Sequence, residues 1–316
     1  MNRDSLLRQF LEQNKITNYQ LEKVAGDASF RHYSRAIIGN KSFIVMDAPP
    51  EKEDVHPFCK IADFLLQNNF SAPQIFADDY QNGFLLLEDF GDDSYRKVLE
   101  KTPSEQDQLY ANAVDLLVEL KNVNPPQNLP IYDQKLLLRE VMLFVDWYLP
   151  NVAKKPLDDD QKQEFQNIWL GLFEQLSPAK IVVLRDYHAD NLMLLKNRNG
   201  IKKVGLLDFQ DAVVGVAAYD LVSLLEDARR DVDKNLQEKM LQHYLKKSNC
   251  NVEQFLLDYQ ILSLQRNIKI IGIFARLVFR DGKQNYLNFL PRVFGYVNSR
   301  LDNQLFKSIK PFLYAQ

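Results

Sequence analysis

The spacing of apolar residues changes near residue 90. Before it, short runs of strand type dominate: Tyr19–Val24, Phe30–Ile38, Ser42–Met46 and Phe84–Leu87. Turn residues punctuate them at Gly26-Asp27, Gly39-Asn40, Pro49-Pro50 and Asn82-Gly83. One helical segment interrupts, Val55–Asn69, with Phe58, Ile61, Ala62, Leu65 and Leu66 on one stripe, and a short amphipathic helix, Ser5–Gln13, comes first. After Gly91 the period is helical. The segments are Ser104–Lys121, with Ser104 as N-cap, then Gln134–Leu149, Asp160–Leu176, Tyr219–Arg230, Lys234–Lys246, Val252–Phe279 and Gln284–Leu301. Two apolar runs, Ile181–Leu184 and Val204–Leu207, read as strands among these helices. The pattern predicts an α+β chain: a small antiparallel sheet lobe over residues 1–90 and a larger, mostly helical lobe over residues 91–316.

Composition narrows the class. Of 316 residues, 46% are hydrophobic and 26% charged, which excludes a disordered, collagen-like or disulfide-stapled chain. Lys+Arg 39 against Asp+Glu 42 gives a net charge of −3, without the basic excess of a nucleic-acid binder. Cys59 and Cys250 are too few for a disulfide framework and lack zinc spacing. The most apolar stretch, Ile268–Phe279, is broken by Lys269 and Arg276 and falls short of the ~20 residues a membrane span needs. No signal-like segment opens the chain. The expectation is a cytoplasmic protein with no membrane, nucleic-acid or obligate protein partner.

The chemistry concentrates between Val182 and Asp220. Arg185-Asp186-Tyr187-His188-Ala189-Asp190-Asn191 fits the R-D-x-x-x-x-N pattern of a phosphotransferase catalytic loop. Asp208-Phe209 follows an apolar strand, as a metal-binding D-F-G aspartate does. Transfer of a γ-phosphoryl group needs hard oxygen ligands for Mg²⁺, which Asn191 and Asp208 supply. It also needs a separate carboxylate, Asp186, to accept or orient the proton of the attacking hydroxyl. A lone D-x-x-x-x-N is common by chance; the strand–turn–strand that links Asn191 to Asp208 is the context the motif requires.

These segments, with Ala218-Tyr219-Asp220-Leu221, resemble the aminoglycoside phosphotransferase/choline kinase family, small-molecule kinases of two-lobed protein-kinase-like fold. Gly26-Asp27-Ala28-Ser29-Phe30-Arg31, Met46–Pro50, Asp220–Val232, Gln265-Arg266-Asn267 and Gly272–Leu277 resemble one branch, the kinases of N-acetylmuramate and N-acetylglucosamine in cell-wall sugar recycling. The resemblance runs from about Val24 to Arg292. It implies ATP and Mg²⁺ as cofactors and the anomeric hydroxyl of a sugar as acceptor. It implies Asp186 as catalytic base, Asn191 and Asp208 as metal ligands, and Asp220 as a brace for the catalytic loop. For the nucleotide it implies Gly26, Asp27, Ala28, Ser29 and Arg31 over the phosphates, and a hinge at Glu88, Asp89 and Phe90. The chain departs from the family pattern in three places. Met46 stands where kinases carry the phosphate-pairing lysine, with Arg31, Arg35 and Lys41 as possible substitutes. Leu184 replaces the histidine that opens the loop, and Gln210 replaces the glycine of D-F-G.

Other charged groups carry two readings each. His188 and Asp190 suit either a metal centre or a loop histidine bound to backbone or Asp220. Asp89, Asp92 and Asp93 read as a solvated turn with Asp93 capping a helix, or else as polarity lining a substrate cleft. Arg266, Lys269, Arg276 and Arg280 share one helix face, a solvated stripe or a wall for a sugar carboxylate, with Arg266 and Arg276 preferred. Asp220, Ser223, Asp227, Arg230 and Asp231 share the polar face of the Tyr219–Arg230 helix, a face of any amphipathic helix or one bordering the cleft, with Asp227 and Arg230 as candidates for sugar hydroxyls. An aminoglycoside, choline or fructosamine acceptor and a catalytically inactive nucleotide-binding scaffold are the alternatives; a metal-dependent hydrolase is the third.

Overall fold

The computed structural model describes residues 2–24 and 30–313. The chain divides into two compact units, Met1–Gln106 with Asp190–Asp211, and Asp107–Ala189 with Ala212–Gln316. The first opens with α1 (Arg3–Gln13), started by the Asn2 side chain accepting the Ser5 N–H. It continues through β1 (Gln20–Val24), β2 (His32–Ile38), β3 (Lys41–Asp47), α2 (His56–Gln67), β4 (Ile75–Asp79), β5 (Phe84–Glu88) and α3 (Tyr95–Lys101). The strands form one antiparallel sheet of order β1-β2-β3-β5-β4. Alternation turns Ala36, Val45, Phe84 and Leu86 to one face, where they bury against Phe10 and Leu11 of α1. β4 is absent from the sequence expectation because Asp78 and Asp79 are residues that strands disfavour.

The helical unit starts with α4 (Gln106–Leu120), preceded by a 3₁₀ turn over Pro103–Glu105 where the sequence suggests a Ser104 cap. α5 (Gln134–Leu143) runs on into a π-helical segment, Phe144–Ala153, that contains Pro150. The expected single α-helix to Leu149 therefore changes its winding at Phe144. α6 (Asp159–Phe173) opens on a capping box between Asp158 and Gln161. β6 (Ile181–Val183) follows.

The chain then re-enters the first unit as a hairpin of β7 (Leu192–Leu194) and β8 (Val204–Leu206). Gly205 bridges to Ser71, the Leu206 N–H donates to the Ser71 carbonyl at 2.7 Å, and Met193 bridges to Ser94. Gly205 has no room for a side chain, since a Cβ there would meet the Phe90 ring at 2.9 Å. These contacts make residues 190–211 part of the first unit, so compactness does not follow a single cut near residue 90.

Back in the second unit, β9 (Val213–Gly215) pairs with β6, and α7 (Ala218–Leu225), α8 (Lys234–Ser248), α9 (Val252–Phe279), α10 (Leu290–Arg300) and α11 (Lys310–Leu313) complete it. α7 is shorter than the expected Tyr219–Arg230. Glu226 leaves helical dihedrals (φ −117°, ψ 53°) and turns its carboxylate inward to Ser263, Asn267 and Arg300. Asp227, Arg230 and Asp231 thus lie beyond the helix. α9 is the spine of this unit, packed on α5, α7, α10 and the π segment. At Gly272 it lies against the end of α5, where a Cβ would lie 2.3 Å from the Leu143 carbonyl carbon. No helix among the described residues is long and apolar enough to cross a membrane.

Candidate active site

In the second unit β6 delivers the loop Leu184–Ala189. Asp220, on α7 and 3% exposed, accepts the backbone N–H of Leu184 at 2.6 Å and of Arg185 at 2.9 Å. Burial pushes its carboxyl up to about 7 against the pull of those two N–H groups. The Arg185 carbonyl accepts the Ser223 hydroxyl at 3.2 Å, one turn along α7. Arg185 itself has φ +70°, a left-handed value that costs a side-chain-bearing residue about 1–3 kcal/mol unless its surroundings impose it. With the loop tied on both backbone atoms, Asp186 is exposed while Tyr187 and His188 point inward. Tyr187 donates to the Ala113 carbonyl at 2.8 Å. The His188 Nε2 lies 3.3 Å from the Arg229 guanidinium, and burial pulls the imidazole below its ordinary value. An imidazole facing a guanidinium is no metal ligand, which removes the metal-centre reading of His188. Arg229 joins the backbone or Asp220 partners expected of a loop histidine.

In the first unit the hairpin β7–β8 brings Asn191 and Asp208 together. The Leu207 N–H donates to the Asn191 carbonyl at 3.0 Å, extending the ladder by one pair. The Asn191 carboxamide donates to Asp208 Oδ2 at 3.3 Å, and Gln210 donates to Oδ1 at 2.8 Å. Asp208 has φ +57°, a conformation aspartate tolerates better than most residues, and it turns the carboxylate out to solvent. Phe209 points the other way and stacks on Phe58 of α2 at 4.9 Å. One carboxylate and one carboxamide oxygen form a hard, open donor set, suited to a Mg²⁺ that keeps its remaining positions for water and phosphate. The described residues contain no cluster of three or more His, Cys, Asp or Glu side chains able to hold a metal.

Of the nucleotide candidates, Gly26, Asp27, Ala28 and Ser29 lie outside the described residues. Arg31 pairs with Glu53 at 3.2 Å at the end of β2, close to Met46, which is fully buried opposite Tyr33. Arg35 is committed elsewhere: its guanidinium grips Asp89 at 2.6 and 3.0 Å and reaches Asp92 at 3.1 Å. Although burial opposes it, Arg35, Ser42 and the Gly91 N–H hold the Asp89 carboxyl below its usual range. Lys41 sits at the far end of β3, five residues from Met46 or ~16 Å at strand rise. Of the three substitutes for the missing lysine, Arg31 alone lies at the Met46 end. The acidic cluster after β5 is solvated at Asp92, as expected, but each carboxylate holds a cation and Asp93 is not the helix cap. Asp89 and Asp92 clamp Arg35, Asp93 pairs with Lys196 at 2.7 Å, and Ser94 caps α3. Glu88 pairs with Arg198, whose guanidinium lies 5.2 Å from the Phe90 ring centre. Glu88, Asp89 and Phe90 line a cavity of about 340 Å³ with Leu194–Arg198.

The substrate candidates separate. Arg266 is buried, donating to the Ser223 hydroxyl at 2.7 Å and the Glu226 carbonyl at 3.3 Å. It supports the loop after α7 and forms no open wall. Lys269 is also buried, so the stripe is not a solvated face at either position. Arg276 is half-buried, and Arg280 is exposed and bound to Asp281. Asp227 is buried, with one oxygen accepting the Arg229 N–H at 2.8 Å; Arg230 is half-exposed. Glu140 escapes the sequence reading although it carries a signal. It falls on the apolar stripe of α5 with Leu137 and Val141, where a buried acid needs partners.

The model of the phosphotransferase enzyme family, APH, matches residues 20–256. The N-acetylmuramate/N-acetylglucosamine kinase of Pseudomonas aeruginosa is 38% identical over 288 residues, 89% of this chain and 83% of that protein. The kinase of the same name from Pseudomonas putida is 36% identical over 286 residues, 88% of this chain and 82% of its own. The ADP-bound crystal structure of aminoglycoside phosphotransferase APH(2'')-Ib superposes with a TM-score of 0.63 at 16% identity, over 93% of this chain and 97% of the other. That likeness confirms the two-lobed kinase-like α+β architecture. Loop, hairpin and family match converge, and the chain belongs to the APH phosphotransferase enzyme family.

Proposed function

We propose that this protein transfers the γ-phosphoryl group of ATP to the anomeric hydroxyl of N-acetylmuramate or N-acetylglucosamine. The kinase chemistry is carried by one observation, the half-buried Asn191 and exposed Asp208 held at 3.3 Å by adjacent strands. The choice of sugar is supported by relatives at 34–38% identity that bear that name. Asn191 and Asp208 would hold Mg²⁺, which neutralises charge on the phosphates when bound. Asp186, exposed on a loop tied down by Asp220, accepts the proton of the attacking hydroxyl. Residues 1–90 serve the nucleotide, through Gly26–Ser29 and Arg31 over the phosphates and the backbone of Glu88–Phe90 at the base. Residues 91–316 serve catalysis and the sugar, with Asp227, Arg230 and Arg276 as the remaining substrate candidates. A reaction fed by ATP belongs in the cytoplasm.

The test is an ATP-consumption screen with Mg²⁺ against N-acetylmuramate, N-acetylglucosamine, choline and an aminoglycoside, with the product's phosphate position read by NMR. Turnover confined to the amino sugars, with an anomeric phosphate, is expected. Asp186→Asn should lower kcat by roughly 10³-fold or more with an unchanged melting temperature, as the residue is exposed. Greater turnover with choline or the aminoglycoside, or an active Asp186→Asn enzyme, sinks the proposal.

A further inference from the structure

The two groups that hold the loop backbone, Asp220 and Ser223, bind atoms that any residue at position 185 would offer. They do not explain an arginine there. The side chain does. Its guanidinium donates to the Glu140 carboxylate on α5 and lies 5.4 Å from the Tyr132 ring centre. The other oxygen of Glu140 accepts the Tyr132 hydroxyl and Lys269 Nζ of α9, the latter at 3.0 Å. Lys269 also donates to the Tyr219 hydroxyl at 3.0 Å, and Tyr219 adjoins Asp220.

Two cations thus divide one buried carboxylate. Glu140 and Lys269 side chains are only about a tenth exposed, so neither can turn to water for a substitute partner. Lys269 and Tyr132 occupy one oxygen and leave the other for Arg185. Arg185 enters this cluster from the loop. Arg185 is also the residue with the left-handed backbone and the immediate neighbour of Asp186, whose charge it feels.

We propose that Glu140 and Lys269 are positioning residues that fix the direction of Asp186 by holding the side chain of Arg185. The proposal rests on the phosphoryl-transfer reading, in which Asp186 handles the acceptor proton. With Glu140 neutral, the guanidinium loses its anchor and is drawn toward Asp186, the other carboxylate whose charge it feels. The base is then misdirected and masked, while the groups assigned to nucleotide and sugar stay in place.

The experiment compares Arg185→Gln, Arg185→Lys and Glu140→Gln with wild type, measuring kcat, both KM values and the melting curve. Arg185→Gln leaves the Glu140–Lys269 pair intact and so spares the buried charges. Its kcat, and that of Glu140→Gln, should fall roughly 10–100-fold, the scale of a displaced catalytic group, with both KM values within about twofold. Arg185→Lys keeps a charge for Glu140 and should recover kcat to within about fivefold of wild type. Wild-type kcat in Arg185→Gln overturns the proposal, as does its failure to fold, which would assign the arginine to stability. A folded Glu140→Gln with wild-type kcat overturns it as well; if that variant does not fold, Arg185→Gln decides. Should wild type consume ATP with none of the acceptors, the functional reading fails separately. The same comparison is then made on basal MgATP hydrolysis, with the same outcomes deciding it.

Discussion

Replacing Gly272 by alanine puts a methyl group against the backbone of Leu143 and Phe144. The new Cβ would lie 2.3 Å from the carbonyl carbon of Leu143, 2.4 Å from the Phe144 nitrogen and 2.6 Å from the Leu143 oxygen. Ordinary contact begins at 3.4 Å, so the two helices must part by roughly 1 Å. All three obstacles are backbone atoms and cannot rotate away. Overpacking of this kind costs about 1–3 kcal/mol, and rigid neighbours place it near the upper end. Alanine returns about 1 kcal/mol through helix propensity, which leaves a net loss of about 2 kcal/mol. For a unit of this size that is a fall of about 4–8 °C in Tm. Gly171 of α6 is the control, because its Cβ would meet nothing within 4 Å. Gly171→Ala should gain up to about 1 kcal/mol and raise Tm by about 2–4 °C. Both residues lie in the second unit, so scanning calorimetry reads one transition for the pair. Equal shifts, or shifts of one sign, would refute the packing argument. The Gly272 variant should also lose turnover, since α9 carries Arg266 and Lys269 toward the loop before Asp186.

Asp220→Asn can satisfy only one of the two loop N–H groups and turns an NH₂ toward the other. The unmet donor should cost about 1–3 kcal/mol and kcat should fall with it; calorimetry and turnover assays check both, and an unchanged kcat removes Asp220 from the support of the loop. Asp208→Ala should raise the Mg²⁺ concentration for half-maximal turnover by roughly tenfold or more, and an identical Mg²⁺ titration would clear Asp208 of metal binding. Glu140 predicts a pH dependence of stability. Burial alone would raise its carboxyl, but Lys269 and Arg185 outweigh it and hold the group below 4.5. The unfolded chain therefore takes up this proton first on acidification, so the contribution is whole above pH 4.5 and is lost as the pH falls below it. Between pH 6 and pH 3.5 the urea midpoint of wild type should drop further than that of Glu140→Gln; parallel curves contradict the ion-pair reading.

The sequence carries most of the architecture because its signals are local. The Asn191–Asp208 hairpin is legible from two apolar triplets around a polar turn, and α9 from 28 residues of unbroken periodicity. Helix ends set by distant partners are not. α7 stops at Leu225 because Glu226 is drawn to Ser263, Asn267 and Arg300, all far along the chain. The acidic cluster after β5 shows its charge in the sequence, whereas the strand register that brings Arg35 over it does not. Arg266 and Lys269 look like a surface stripe at helical spacing. Whether such a stripe faces water depends on what packs against it, here Ser223 and Glu140. Of the loop itself, Asp186 was readable from its motif; the left-handed Arg185 and the side chains that hold it were not.

The return of residues 190–211 to the first unit has a consequence for biosynthesis. The sheet lobe cannot bury Phe90 against Gly205, or stack Phe58 on Phe209, until the ribosome has added the 105 residues from Asp107 to Asp211. At bacterial and eukaryotic elongation rates that is about 5–20 s during which those aromatic faces stand open. An N-terminal fragment ending near residue 106 would keep them open for good. The nascent chain, more than the finished protein, is therefore where this kinase needs protection from aggregation.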